Sequence, residues 1–295
     1  MNTLRHFLVA FLLIFFVSVT ALAQITDDAV WEMTRPTEPF KVIANVYYVG
    51  TGDVASYLIT SDEGHILIDS GFEETVPLIE ASVRSLGFKL EDVRILLNNH
   101  AHFDHCGGLK TLKDKTGAKL YSVKRQAEVL KTGGASDFRF GGEQIFKPVD
   151  PDKIIEDGEV VSLGGNELAT VLTPGHTKGA TTWTMKVSEN GQIFTVIFLS
   201  SLSNLDYDLV ANEGYPEVGS DFESTFDKLL KLKPDVFLGS HAGFFRMRQK
   251  FLAMRSGADK NPFIDPEGYR AFVLRMKQDF EKKREEQRSA GKEGR

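Results

Sequence analysis

Short apolar runs of five to eight residues recur along the chain, the clearest at 42–49, 56–60, 65–69, 94–98, 168–173, 193–200 and 235–240. Runs of this length, bounded by Gly, Asp, Asn or Pro, predict buried strands. Between them lie stretches with an apolar residue every three or four positions. In 74–86, Val76, Ile79, Val83 and Leu86 share one face, and the pattern stops before Gly87, which predicts a helix. Segments 107–116 and 124–131 are also predicted as helices. In 222–232, Phe222, Phe226, Leu229 and Leu230 repeat the spacing, with Asp221 as the expected N-cap. A last helix is expected over 266–287. Residues 281–295 are mostly charged, which predicts a solvated tail, frayed at 288–295. Strands and helices alternate in two blocks, 24 to about 165 and then to 295, with no low-complexity linker. The pattern predicts one layered α/β domain, 24–295, made of two similar halves.

The first residues follow a different rule. Arg5 and His6 precede an almost wholly apolar run over 7–19, and Ala21-Leu22-Ala23 forms a small-x-small cleavage signal. Gln24-Ile25-Thr26-Asp27-Asp28 follows, with no basic flank to stop transfer. Residues 1–23 are therefore expected to be a secretory signal peptide, with a mature chain from Gln24 that is periplasmic or secreted. No other apolar run approaches the ~20 residues of a membrane span, so no membrane partner is expected after cleavage.

Composition narrows the chemistry. Lys and Arg number 35 against 41 Asp and Glu, a formal charge of −6 over 295 residues. That balance lacks the basic footprint of nucleic-acid binding. Cys106 is the single cysteine, which excludes an intrachain disulfide and a CxxC zinc site. An exported fold without disulfides must stand on its core, and about 270 residues suffice for that. Nothing in the sequence demands a second copy, so a monomer is expected.

The seven histidines carry the main signal. His6 belongs to the expected signal peptide, and His65, at the start of a strand, reads as structural. The other five follow predicted strands: His100, His102 and His105 in Asn99-His-Ala-His-Phe-Asp-His105, His176 in Pro174-Gly-His-Thr177, and His241 after 235–240. In layered α/β proteins, strand ends converge on one edge, where sites form. His100 and His102, two apart, leave one face of an extended segment, as two ligands of a tetrahedral zinc require. Asp104 and His105 turn the corner toward a neighbouring metal. Imidazoles with one carboxylate suit zinc better than iron or manganese. A purely structural zinc site is the alternative, but such sites are usually closed by Cys or His in small domains.

His100-x-His102-x-Asp104-His105, with Pro174-Gly175-His176-Thr177 and His241, resembles the metallo-β-lactamase superfamily. Ser61-Asp-Glu-Gly-His-Ile-Leu-Ile-Asp69-Ser-Gly71 resembles its early strand and structural Asp. The resemblance spans about 40 to 260 and implies a four-layer αβ/βα sandwich with the metal site at one edge. Many hydrolases of the superfamily, including glyoxalase II-like thioesterases and lactonases, carry a metal-bridging Asp where this chain reads Phe198-Leu-Ser-Ser201-Leu-Ser203. The first β-lactamase subclass has Cys there, and the second replaces the first His by Asn. With Ser201 and His100, this chain resembles the third subclass. Asp137-Phe138-Arg139-Phe140-Gly141-Gly142, read as the loop beside the pocket, and Ile155-Glu-Asp-Gly-Glu-Val160 are also similar to it. The chain departs in lacking the C-terminal disulfide frequent there, in Cys106, read as a small buried residue, and in Lys178 where proline is common.

The resemblance implies two zinc ions per chain, one on His100, His102 and His176 and the other on Asp104, His105 and His241. Two adjacent cations lower the pKa of a bridging water toward neutrality and create a hydroxide nucleophile. The expected activity is hydrolysis of the β-lactam amide of penicillins, cephalosporins and carbapenems, giving antibiotic resistance. His102 and His176 on the first metal and Asp104 on the second carry the catalytic roles, and no Ser-x-x-Lys motif offers a covalent route. Ser201 and Ser203 are expected to bind the β-lactam carboxylate, and Phe138 and Phe140 to line the pocket. Lys178 is a candidate for attracting the anion, and Thr177 for orienting ligands. Gly50-Thr51-Gly52 is too weak a signal for a phosphate loop. The rival readings are another hydrolase of this fold, acting on a lactone, thioester or phosphodiester, and a zinc-binding protein without catalysis.

Overall fold

The computed structural model describes residues 32–293, with side chains to 291, so the expected signal peptide at 1–23 lies outside the described residues. Seven strands form the first sheet in chain order: β1 (Phe40–Ile43), β2 (Val46–Tyr48), β3 (Tyr57–Ile59), β4 (His65–Ile68), β5 (Val93–Leu97), β6 (Lys119–Val123) and β7 (Lys153–Ile155). The first four form an antiparallel meander, and β4 to β7 run parallel. Parallel neighbours need crossovers. Helices α1 (Val76–Ser85), α2 (Phe103–Cys106), α3 (Leu109–Thr116) and α4 (Lys124–Lys131) lie in the first two of these connections and in the third.

The second sheet repeats the plan. Strands β8 (Val160–Leu163), β9 (Asn166–Leu172), β10 (Thr181–Glu189) and β11 (Gln192–Leu199) form an antiparallel meander, and β12 (Val236–Gly239) adds in parallel to β11. Helix α5 (Val218–Leu229) makes that crossover, and α6 (Met247–Arg255) and α7 (Pro266–Glu293) follow. The expected αβ/βα sandwich of two similar halves is the observed fold.

Period-two alternation explains the layers. Tyr57, Ile59, Ile66, Ile68, Ile95 and Leu97 join Trp183, Val196 and Phe198 in the core between the sheets. The intervening Leu58, Leu67 and Leu96 face the other way and pack with Val76, Ile79, Val83, Leu109 and Leu112 of the helices. Strands β3 and β4 are buried on both faces, so they read as almost unbroken apolar runs. On the far side, Phe237 of β12 meets Tyr269 and Phe272 of α7 at 5.5 and 5.6 Å between ring centroids.

Several expectations change. The run 42–49 is not one strand but the hairpin β1–β2, because the chain reverses at Ala44, which holds a left-handed φ of 47°. The boundary between halves falls between β7 and β8, near 156–159 rather than 165. Asp221 does not cap α5, which begins at Val218 after Glu217. Its carboxylate instead accepts the Tyr215 hydroxyl at 2.5 Å and pairs with Arg125 at 3.3 Å. Helix α7 continues to Glu293, so hydrogen-bonded helix occupies most of the segment expected to fray.

Candidate metal centre

The expected ligands all stand just past the C-terminal ends of strands. His100 follows β5 through Asn98 and Asn99, whose backbone is tied down by neighbours. Asn99 N–H donates to Asp69 Oδ1 at 2.7 Å, and Asn99 C=O accepts Gln126 Nε2 at 2.9 Å. His102 is the N-cap residue of α2, and the single turn of α2 presents Asp104 and His105 to the same space. His176 follows β9. The preceding Gly175 has φ 132°, and a Cβ there would stand 2.7 Å from the Phe222 ring, so only glycine permits this approach. His241 follows β12, and Ser201 follows β11.

These residues form two adjoining groups. One nitrogen of each of His100, His102 and His176 lies within 4.8 Å of the others, and one nitrogen of His100 lies as close to atoms of Asp104 and His105. In the second group, Asp104 Oδ2 is 3.2 Å from His105 Nε2 and 3.6 Å from His241 Nε2, and the two Nε2 atoms are 3.1 Å apart. The structure thus brings all six expected ligands together.

The outward-facing ring nitrogens are held by oxygens. His105 Nδ1 meets Asp69 Oδ2 at 3.2 Å, His241 Nδ1 meets Asp53 Oδ2 at 2.9 Å, and His176 Nδ1 meets the Ser203 carbonyl at 2.6 Å. Such partners fix the tautomer and leave Nε2 free for a metal. His102 differs: its Nε2 points toward Asp137 Oδ2, 3.7 Å away. His100 has no hydrogen-bond partner at either ring nitrogen, although it is only 1% exposed. Most buried polar groups in folded proteins find a partner; an imidazole with neither nitrogen paired, standing between two groups of donors, fits a cation that completes it.

Electrostatics agree. Burial, reinforced by the neighbouring imidazoles, holds His100 and His176 well below the usual histidine range and His102 at about 4. These three rings are neutral and offer lone pairs. Burial works against charge on Asp104 and His105 as well, but each outweighs that cost for the other. The carboxyl falls below its usual range, and the imidazole, helped also by Asp69, rises to about 10. A cation bound here would take the place of that proton beside the carboxylate.

The centre floors a cavity of about 300 Å³, walled by Met33, Asp53, Phe103, Phe140, Ser201, Ser203, Leu205 and Phe244. Phe140 lines it as expected and stands 5.0 Å from His102. Phe138 does not. It turns under the loop between Tyr207 and Tyr215, at 4.9 and 5.0 Å, because residues two apart in this turn do not share a face. Lys178 is also away from the cavity, over the Tyr215 ring. Cys106 is buried and donates to the His102 carbonyl. Sequence reasoning missed Asp53 and Asp137. The first follows directly on Gly50-Thr51-Gly52, where the informative residue was the carboxylate and not the glycines. The second stands before the aromatic pair, and its Oδ1 accepts the N–H of both Arg139 and Phe140.

Comparison with known proteins agrees with this geometry. Residues 49–188 match the family model of the metallo-β-lactamase superfamily. The native FEZ-1 metallo-β-lactamase of Legionella gormanii superposes with a TM-score of 0.84 at 41% identity, covering 86% of this chain and 98% of that one. The chain belongs to the metallo-β-lactamase superfamily. BJP-1 of Bradyrhizobium japonicum, a subclass B3 metallo-β-lactamase, aligns with a TM-score of 0.83 at 35% identity over 89% of this chain and 99% of that one. Two relatives carry other activities. An N-acyl homoserine lactonase of Bacillus cereus is 25% identical over 212 residues, 62% of this chain and 79% of its own length. A hydroxyacylglutathione hydrolase of Maricaulis maris is 34% identical over 82 residues, and the chain spans a quarter of its length. The superfamily fold and the donor cluster make this chain a metal-dependent hydrolase.

Proposed function

We propose that this hydrolase opens the amide of β-lactam antibiotics with two zinc ions per chain, and that it acts after export. The observation that carries the substrate class is Ser201. It stands at the end of β11 in the cavity wall, where lactone and thioester hydrolases of the superfamily carry an acid that bridges the metals. Without that acid, the second group is completed by Asp104, His105 and His241. The Ser201 and Ser203 side-chain oxygens accept the N–H groups of Ser203 and Leu205, and their own O–H groups remain to be donated to an anionic substrate.

His100, His102 and His176 would hold one zinc, and Asp104, His105 and His241 the other. When bound, the pair supplies Lewis acidity toward a carbonyl oxygen and toward a water too weak a nucleophile on its own. The chain does the rest. The floor of imidazoles is fixed by Asp69, Asp53 and the Ser203 carbonyl. Phe140, Phe103, Leu205 and Phe244 exclude water from the scissile bond and hold the apolar parts of a substrate. Ser201 and Ser203 hydroxyls donate to the substrate carboxylate. Asp104 would ligate the second metal and accept a hydrogen bond that orients the nucleophile.

The test is a comparison of substrates on the purified chain from Gln24: a chromogenic cephalosporin, an acyl homoserine lactone and an acylglutathione thioester. Turnover of the cephalosporin well above the other two supports the reading, with Ser203→Ala raising KM about fivefold to tenfold while kcat holds, as loss of one hydrogen bond would give. Preferred turnover of the lactone or thioester overturns it. Zinc binding without turnover of any of them indicates a carrier. Export is checked by the N-terminus of the protein recovered outside the cytoplasm, expected at Gln24. Recovery with Met1 intact contradicts it. Among the described residues no helix is long and apolar enough to cross a membrane.

A further inference from the structure

Helix α7 carries Tyr269, Phe272, Val273, Met276 and Phe280 at spacings of three and four, one face of a helix. This stripe packs on β12 and α5 and ends with Phe280 against Phe222 and Phe226, at 5.3 and 5.6 Å. The same face continues as Lys283 and Gln287, and there it turns polar. Its neighbour is no longer the core but the irregular segment 200–217, which joins β11 to α5 with no strand or helix of its own.

Gln287 meets that segment as a strand would. Its Oε1 accepts the Leu209 N–H at 2.7 Å, and its Nε2 donates to the Tyr207 carbonyl at 2.8 Å. Lys283 Nζ donates to the carbonyls of Asn204 and Leu205. From the other side, Arg139 grips Asp206 with two parallel bonds of 2.7 and 3.0 Å. The inner side of the same loop forms the site. Ser203 and Leu205 line the cavity, the Ser203 carbonyl takes His176 Nδ1, and Tyr207 hydroxyl donates to the His176 carbonyl at 2.8 Å. A loop without its own ladder depends on outside partners for its peptide groups, and here two residues of α7 pair four of them.

We propose that Lys283 and Gln287 are positioning residues: from the C-terminal helix they fix the loop 203–209 and so set the substrate-facing wall of the metal site. The kinetic consequence rests on the hydrolase reading above. The bracing itself does not. The wall touches the non-reacting part of a substrate, so loosening it removes binding common to ground and transition states, which appears in KM rather than kcat.

The experiment uses the full mature chain with Gln287→Ala, Lys283→Met and the conservative Lys283→Arg, at saturating zinc. Hydrogen exchange of the peptide spanning 203–210, KM and kcat on the chromogenic cephalosporin, zinc content and thermal midpoint are read together. The expected result for the first two variants is about tenfold faster exchange in the loop and about tenfold higher KM, the equivalent of one lost hydrogen bond. Over the same comparison kcat, zinc content and midpoint stay near wild type, and Lys283→Arg restores both exchange and KM. Unchanged exchange and KM in both variants overturn the proposal. So does a joint fall of kcat, zinc content and midpoint without rescue, which is what a merely structural role produces. If the wild-type chain leaves the cephalosporin intact while loop exchange still rises in the variants, the brace stands and the β-lactam reading falls.

Discussion

Replacing Asp104 with alanine is expected to lower kcat/KM on a β-lactam by at least about a thousandfold, more than the ten- to hundredfold typical of residues that only support a metal ligand. Asp104 is the only carboxylate among the six proposed ligands and stands 3.2 and 3.6 Å from the nitrogens of His105 and His241. Its removal takes away the negative charge that balances the second cation. It also leaves His105, raised to about 10 by its carboxylate neighbours, with Asp69 alone. The fold should survive, because Asp104 lies at the cavity floor and holds no strand in place. Steady-state kinetics, zinc content and a thermal melt on one preparation check the prediction. Near-full activity with Asp104→Ala would show that the ligand assignment is wrong.

Asp69→Ala is the second large effect, and it should strike both stability and metal binding. Asp69 is 1% exposed, follows β4, and holds a left-handed φ of 61°. One carboxylate oxygen accepts the Asn99 N–H and the other meets His105 Nδ1. It thus ties the end of β4 to the loop that starts the ligand run. Alanine leaves a buried N–H and a buried ring nitrogen without partners, at about 1–3 kcal/mol each, and places a side chain poorly suited to positive φ. The expected outcome is a loss of about 3 kcal/mol in denaturant unfolding and a ten- to hundredfold weaker second metal. Asp69→Asn separates the two roles. Asparagine tolerates the backbone and still accepts from Asn99, so much of the stability returns. Its amide cannot accept from His105 Nδ1, so the metal affinity does not. Equal recovery of both would contradict the division of labour between the two oxygens.

Much of this site is legible in the sequence because it is local. His100, His102, Asp104 and His105 fall within six residues, and the geometry of an extended segment entering one helical turn already dictates that they converge. His176 and His241 are legible for another reason: each follows an apolar run, and strand ends share an edge. What escapes is whatever depends on a distant partner. Asp53 is an unremarked loop carboxylate until β12 brings His241 to 2.9 Å. Phe138 and Phe140 look equivalent, yet only packing against Tyr207 and Tyr215 decides which one turns inward. Strand β10 was hidden because Thr181, Thr182 and Thr184 dilute its apolar content, although it sits in the middle of its sheet. The charged end of α7 read as solvated for the same reason. Lys283 and Gln287 gain a role only from backbone groups some eighty positions earlier in the chain.

The proposed β-lactamase activity rests on six side chains holding two zinc ions. It is tested most directly by stripping the mature protein with a chelator and adding zinc back while following a chromogenic cephalosporin. No hydrolysis is expected from the stripped protein, followed by a rise to a plateau as two zinc ions bind per chain. Undiminished hydrolysis by protein freed of metal, or none from protein carrying two zinc ions, would contradict it.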